Sequence, residues 1–294
     1  MSYVISEYEN PRTGVKEVHK YYNANYGAPG QRREARSKPT YNAQKRQNAW
    51  NKQEKVRRYI QSNFDPYDYH YTMTFKKELR PESDEELKRI KKSFLEAMRE
   101  AYRKEGWEFK WLMVIEQGKR GAVHWHMVVN NCHNDHTDTA KLIAMYWKRG
   151  RPYGVPLDED TDSYGNLAKY LLKDQEKEIN DYRLRDVRYY RSKNLIVPEE
   201  KKRVVKEASS WRRIPRAPEG YYVAQVLNGR NRFTGLPYQR YILKPAPKPK
   251  GFETEIIDPA TWWNLEPDDE MYTDEKRKEE TDAGGSIRRN QYEL

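Results

Sequence analysis

The sequence predicts an α+β fold: a mainly antiparallel sheet of about five strands, with helices packed on one face and the other face open for chemistry. Two observations carry this reading. Short segments rich in β-branched and aromatic residues, over 69–75, 111–116 and 123–129, are separated by stretches whose apolar residues recur at helical spacing. Their order along the chain, β-α-β-β-α-(β)-α, describes a sheet covered from one side.

The first strand, 69–75, alternates Tyr69, Tyr71, Met73 and Phe75 with His70, Thr72 and Thr74. After Pro81, the run Ser83-Asp84-Glu85-Glu86 is a capping box that opens a helix reaching about Lys104. Leu87, Ile90, Phe94, Leu95 and Met98 give that helix one apolar stripe. Strands follow over 111–116 and 123–129. Helices are expected over 139–149 and 164–178, joined by a link that carries Pro and Gly, and 189–197 is expected to add a strand.

Around this core the composition changes. With 36% hydrophobic and 34% charged residues in 294, the chain predicts poorly packed flanks about a smaller core. Residues 1–63 hold 13 Lys and Arg against 5 Asp and Glu, a basic N-terminal extension. Within it, about 41–61 reads as a basic helix, either a solvated face or a contact for a DNA backbone. The core domain is expected over 64–197 and an irregular accessory region over 198–265. That region includes the linker-like, proline-rich run from Lys244 to Lys250. The tail 266–294 carries 10 acidic against 5 basic residues and reads as disordered.

A net charge of +11 favours polyanionic partners, and 24 tyrosines with 8 tryptophans offer stacking surfaces for unpaired bases. The single cysteine, Cys132, excludes an intramolecular disulfide and any Cys-rich zinc site, which fits a reducing cytoplasm. No apolar run is long enough to span a bilayer, and the first residues lack a signal-peptide core, so a soluble intracellular protein with no membrane partner is expected.

The chemistry concentrates in Val123-His124-Trp125-His126-Met127-Val128-Val129. Strand side chains alternate, so His124 and His126 share a face. A three-residue hairpin loop of Lys119, Arg120 and Gly121 would place Glu116 opposite His124, on the same face; a slip of one residue would send it to the far side. One carboxylate and two imidazoles then converge, a donor set that suits Mg²⁺ or Mn²⁺ and leaves room for water and substrate oxygens. Tyr170 and Lys173 lie one helical turn apart, off the apolar stripe of Leu167, Ala168, Leu171 and Leu172. A tyrosine beside a metal-held phosphate is a nucleophile for transesterification, with Lys173 orienting the phosphate or meeting developing charge. Lys119, Arg120 and Lys169 are candidate DNA contacts. His133 and His136 read as solvent-facing.

These residues resemble the HUH endonucleases, specifically the rolling-circle replication initiators of phages, plasmids and integrative elements. Tyr71-Thr72-Met73-Thr74-Phe75 looks like the family's first strand motif, Val123-His124-Trp125-His126 its histidine motif, and Tyr170-Leu171-Leu172-Lys173 its tyrosine-lysine motif. The resemblance spans about 64–197. It implies a ferredoxin/RRM-like core and metal-dependent nicking of single-stranded or hairpin origin DNA. A 5′-phosphotyrosine intermediate would form and later rejoin, in a bacterial host's cytoplasm. The order of the motifs resembles initiators rather than relaxases, and one tyrosine on the motif helix implies the single-tyrosine subclass. No Gly-x-x-x-x-Gly-Lys-Ser/Thr is present, so a host helicase and polymerase are implied partners. A related transposase or relaxase-like strand transferase, and a non-catalytic single-strand binder, remain the alternative readings.

Overall fold

The computed structural model describes residues 3–22, 42–117, 122–157, 164–172, 189–205, 212–230 and 236–258, without the side chains of 42–49, 117, 165, 166 and 169. In chain order the elements are β1 (Tyr3–Glu9), β2 (Lys16–Tyr21), α1 (Asn42–Asn63), β3 (Tyr69–Thr74), α2 (Asp84–Lys104), β4 (Trp111–Gln117), β5 (Val123–Val129), α3 (Thr139–Tyr146), β6 (Pro152–Pro156), α4 (Tyr164–Leu172), β7 (Tyr189–Arg191), β8 (Glu200–Val205), β9 (Tyr221–Arg230), β10 (Pro237–Pro245) and β11 (Glu255–Ile257). They fall into two compact units. The fold is α+β, and all strand pairings described in the sheet that carries the site are antiparallel.

That sheet runs β6–β3–β5–β4–β7. One of its faces is apolar by alternation: Tyr71 and Met73 on β3, Met113 and Ile115 on β4, and Val123, Trp125, Met127 and Val129 on β5. It buries against Leu87, Ile90, Phe94, Leu95 and Met98 of α2 and Leu142 and Ile143 of α3. Ser83 caps the helix as the sequence predicts, while the Glu86 carboxylate reaches one residue further back, to Glu82 N rather than Ser83 N. Ser83 Oγ accepts from Glu86 N at 3.2 Å, and Glu86 Oε2 accepts from Glu82 N at 2.8 Å. Asp84, Glu85 and Glu86 in the first turn complement the positive end of the helix dipole.

The second face is not left open along its whole length, and here the one-sided reading needs correction. Leu112, Val114 and Val128 are buried against Val56, Tyr59 and Ile60 of α1, Phe64 just beyond it, and Ala168, Leu171 and Leu172 of α4. The spacing 56, 59, 60 and 64 is an apolar helical stripe, embedded in so many Lys, Arg, Asn and Gln residues that composition concealed it. Helix α1 is therefore packed along one side rather than wholly solvated. Cover thins along the strands from buried Val128 to part-exposed His124.

Three element ends differ from expectation for local reasons. Helix α3 stops at Tyr146 because Trp147 turns extended; its Nε1 donates to Thr74 O at 3.1 Å and its ring meets Phe75, Phe94 and Trp125. The Pro- and Gly-bearing link contains β6, an edge strand where a missing proline N–H is tolerated. Just before it, a Cβ on Gly150 would lie 2.0 Å from Thr74 O, so only glycine lets the chain approach β3 this closely. Past Arg191, Ser192 still bonds Trp111 of β4, its N donating to Trp111 O at 2.9 Å and its Oγ accepting from Trp111 N at 3.2 Å, but Ile196 is held by α1: Asn63 Oδ1 accepts from Ile196 N at 2.6 Å and Asn63 Nδ2 donates to Ile196 O at 2.9 Å. Helix α4 is described to Leu172; 173–178 lie outside the described residues.

The other unit is a six-stranded sheet, β11–β9–β10–β2–β1–β8, with Tyr3, Ile5, Val18, Val223, Val226 and Leu243 as its core. Residues 1–63 thus supply β1 and β2 to one sheet and α1 to the other unit. Residues 198–265 supply β8–β11. The proline-rich run is not a linker: Lys244 and Pro245 end β10, paired with Tyr222 and Tyr221 of β9. The tail 266–294 lies outside the described residues.

Candidate active site

The site is built where the helical cover of the second face gives out. Strand β5 pairs with β4 so that Glu116 stands opposite His124 and Val114 opposite His126. On its other side β5 pairs with β3, setting Thr72 opposite His126 and Thr74 opposite His124. Cross-strand partners project to one face, so Glu116, His124, His126, Thr72 and, two residues back along β3, His70 share it.

His126 is buried and contacted at both ring nitrogens. Its Nε2 lies 3.1 Å from Glu116 Oε2 and its Nδ1 lies 3.3 Å from Thr72 Oγ1. A carboxylate only accepts, so the neutral imidazole carries its proton on Nε2 and accepts at Nδ1 from the Thr72 hydroxyl. A hydroxyl can reverse that role. With the proton on Nδ1, Thr72 accepts, and the Nε2 lone pair is released toward a cation while the ring stays oriented.

Helix α4 brings Tyr170 to the same place. Its ring lies edge-on to His126 at 5.2 Å between centroids and edge-on to His70 at 5.9 Å. His70 in turn stacks on His126 at 5.7 Å. Burial, and secondarily the neighbouring His126, push the pKa of His70 down to about 3, so this imidazole is neutral. Its Nε2 is buried without a hydrogen-bond partner.

At the far end of β3, Asp68 ties the strand down. Its carboxylate accepts from Asn131 N at 2.7 Å and Asp65 N at 2.8 Å. Burial dominates and raises its pKa to about 6, against the Asn131 N–H and the charges of Arg12 and Lys110.

Glu116, His124, His126 and Tyr170 are therefore drawn to one region. Lys173, Lys119 and Arg120 lie outside the described residues, as does the side chain of Lys169, whose backbone is in α4. His133 and His136 are exposed. Sequence reasoning missed His70 and Thr72. The signal was present, since both alternate with the core residues Tyr71 and Met73 on a strand already identified. Among the described residues no group of three His, Cys, Asp or Glu forms a ready cage for an ion. The donor chemistry nonetheless fits a divalent cation. Glu116 and His126 already touch, His124 is next along that face, and Thr72 holds the imidazole from behind.

Residues 68–175 match the family model of the replication-associated protein ORF2. The match begins at Asp68, covers β3 to α4, and contains every site residue named above. No curated protein and no solved structure matches the chain. Among the described residues no helix is long and apolar enough to cross a membrane.

Proposed function

We propose that this chain is a rolling-circle replication initiator of the HUH type, which nicks and rejoins single-stranded origin DNA through a phosphotyrosine. The observation that carries the reading is the Tyr170 ring set edge-on to His126, the imidazole that contacts Glu116. A replication-associated family match over the same residues supports it.

Glu116, His124 and His126 would hold Mg²⁺ or Mn²⁺. Such an ion, when bound, polarises the scissile phosphate and disperses its developing charge. A free phenol has a pKa of about 10 and attacks poorly, so it must lose its proton as it reacts. The Tyr170 oxygen forms a bond to phosphorus, the P–O3′ bond breaks, and the departing 3′ oxygen takes up a proton. The 5′ phosphate stays esterified to the enzyme until a later 3′ hydroxyl reverses the step. Thr72 keeps His126 aligned throughout. Lys173, three residues beyond Tyr170, is assigned to charge developing on the phosphate. Lys119, Arg120 and Lys169 are assigned to the DNA backbone, with a host helicase and polymerase completing replication.

The test is incubation with labelled single-stranded DNA carrying candidate origin sequences in Mn²⁺. A labelled band that migrates with the denatured protein, and vanishes in Tyr170→Phe, His124→Ala and His126→Ala, is expected. Binding without any such band would favour a non-catalytic single-strand protein.

A further inference from the structure

His70 is the one described site residue to which the chemistry above gives no task. It lies between two residues that have one, with its ring stacked on His126 and edge-on to Tyr170. Its Nε2 is buried and lacks a partner. Buried polar atoms in folded proteins are almost always hydrogen-bonded, so an orphan at a reacting centre points to a partner that arrives with the substrate. An imidazole placed only to fill space would be replaceable by phenylalanine without an orphaned atom. Strand β3 is paired on both edges, and His70 stands opposite buried Val128 of β5 and Val155 of β6.

We infer that His70 is a substrate-binding member of the site, whose Nε2–H donates to a non-bridging oxygen of the scissile phosphate. This rests on the nicking reading given above. The phosphate is a better partner than the cation. Glu116 and His126, which the reading above gives to the cation, contact one another at 3.1 Å, and His70 Nε2 makes no hydrogen bond to either. The donated bond strengthens as negative charge builds on the phosphate oxygens, so it accelerates the step as well as placing the group.

The experiment measures adduct formation by the full chain on single-stranded DNA, with sulfur replacing each non-bridging oxygen of the scissile phosphate in turn. In the wild-type protein, one diastereomer should react slowly in Mg²⁺ and remain slow in Mn²⁺, which marks a protein donor rather than the cation. His70→Phe, which keeps the ring, should slow the all-oxygen substrate by about 100-fold, the loss typical of removing one preorganised donor, and should erase that diastereomer's penalty. His70→Gln, with an amide donor, should recover part of the rate. Mn²⁺ affinity and single-strand affinity should stay within about twofold of wild type in both variants.

Undiminished turnover in His70→Phe would overturn the inference. So would a slowed variant that keeps the full sulfur penalty, or one that loses Mn²⁺ affinity. A wild-type protein whose every sulfur effect is rescued by Mn²⁺ overturns it without any variant. If the wild-type protein forms no adduct at all, it is the nicking reading that fails; if it does and His70→Phe matches it, only the assignment of His70 falls.

Discussion

Thr72 Oγ1 lies 3.3 Å from His126 Nδ1, on the ring nitrogen opposite the one that meets Glu116. The pair is set by the β3–β5 register, in which these two residues are direct partners. A hydroxyl at this position fixes the ring in either tautomer.

Thr72→Val keeps the shape and removes the hydroxyl. Mn²⁺ affinity, measured by calorimetry or by electron paramagnetic resonance, should fall about 10- to 100-fold, as for other groups that orient a metal-binding histidine. Folding stability should change by only about 1 kcal/mol. Unaltered Mn²⁺ affinity would show that the contact does not orient a ligand.

Lys119→Ala combined with Arg120→Ala removes two cations from the β4–β5 connection. If both meet phosphates, the logarithmic salt slope for single-stranded DNA should shrink by about 1.4, at roughly 0.7 per contact. A slope equal to that of the wild-type protein would place this loop away from the DNA.

Asp68 gives stability a pH dependence of defined sign. Its folded pKa, about 6, lies above its unfolded value of about 4. The folded state therefore binds the proton more tightly. The stability this group contributes is fully present below about pH 4 and is lost as the pH rises through about 6. Urea midpoints of wild type and Asp68→Asn, compared from pH 4 to pH 7, should diverge, with the wild type losing ground as pH rises. A constant difference would mean the carboxylate titrates normally.

Asn63→Ala removes the clamp on Ile196 and the donation from Asn63 Nδ2 to Tyr59 O. Three hydrogen bonds at the end of α1 are lost, and thermal unfolding should report a destabilisation of about 1–3 kcal/mol. A melting temperature equal to wild type would show that the Asn63–Ile196 clamp contributes nothing to stability.

Much of this architecture was legible where chain-local signals suffice. Ser83 with Glu86 marked the start of α2, and the alternation in 123–129 marked β5 to the residue. Glycine at 121 suggested the hairpin register that sets Glu116 against His124. Long-range pairing was not legible. Strand β2 finds a partner in β10, more than 200 residues away, and β1 lies between β2 and β8; nothing local to Tyr3–Glu9 or Lys16–Tyr21 reports either pairing. The basic character of α1 masked Val56, Tyr59 and Ile60. Within the site, the two histidines of β5 stood out as a motif. His70 did not, because one histidine in a strand acquires meaning only when His126 and Tyr170 are folded against it.

The most direct test of the site is to digest the protein–DNA adduct with trypsin and nuclease and map the nucleotide-bearing peptide by mass spectrometry. The account places the phosphate on Tyr170. Finding it on another of the chain's tyrosines, or finding only released 5′-phosphorylated DNA, would contradict it.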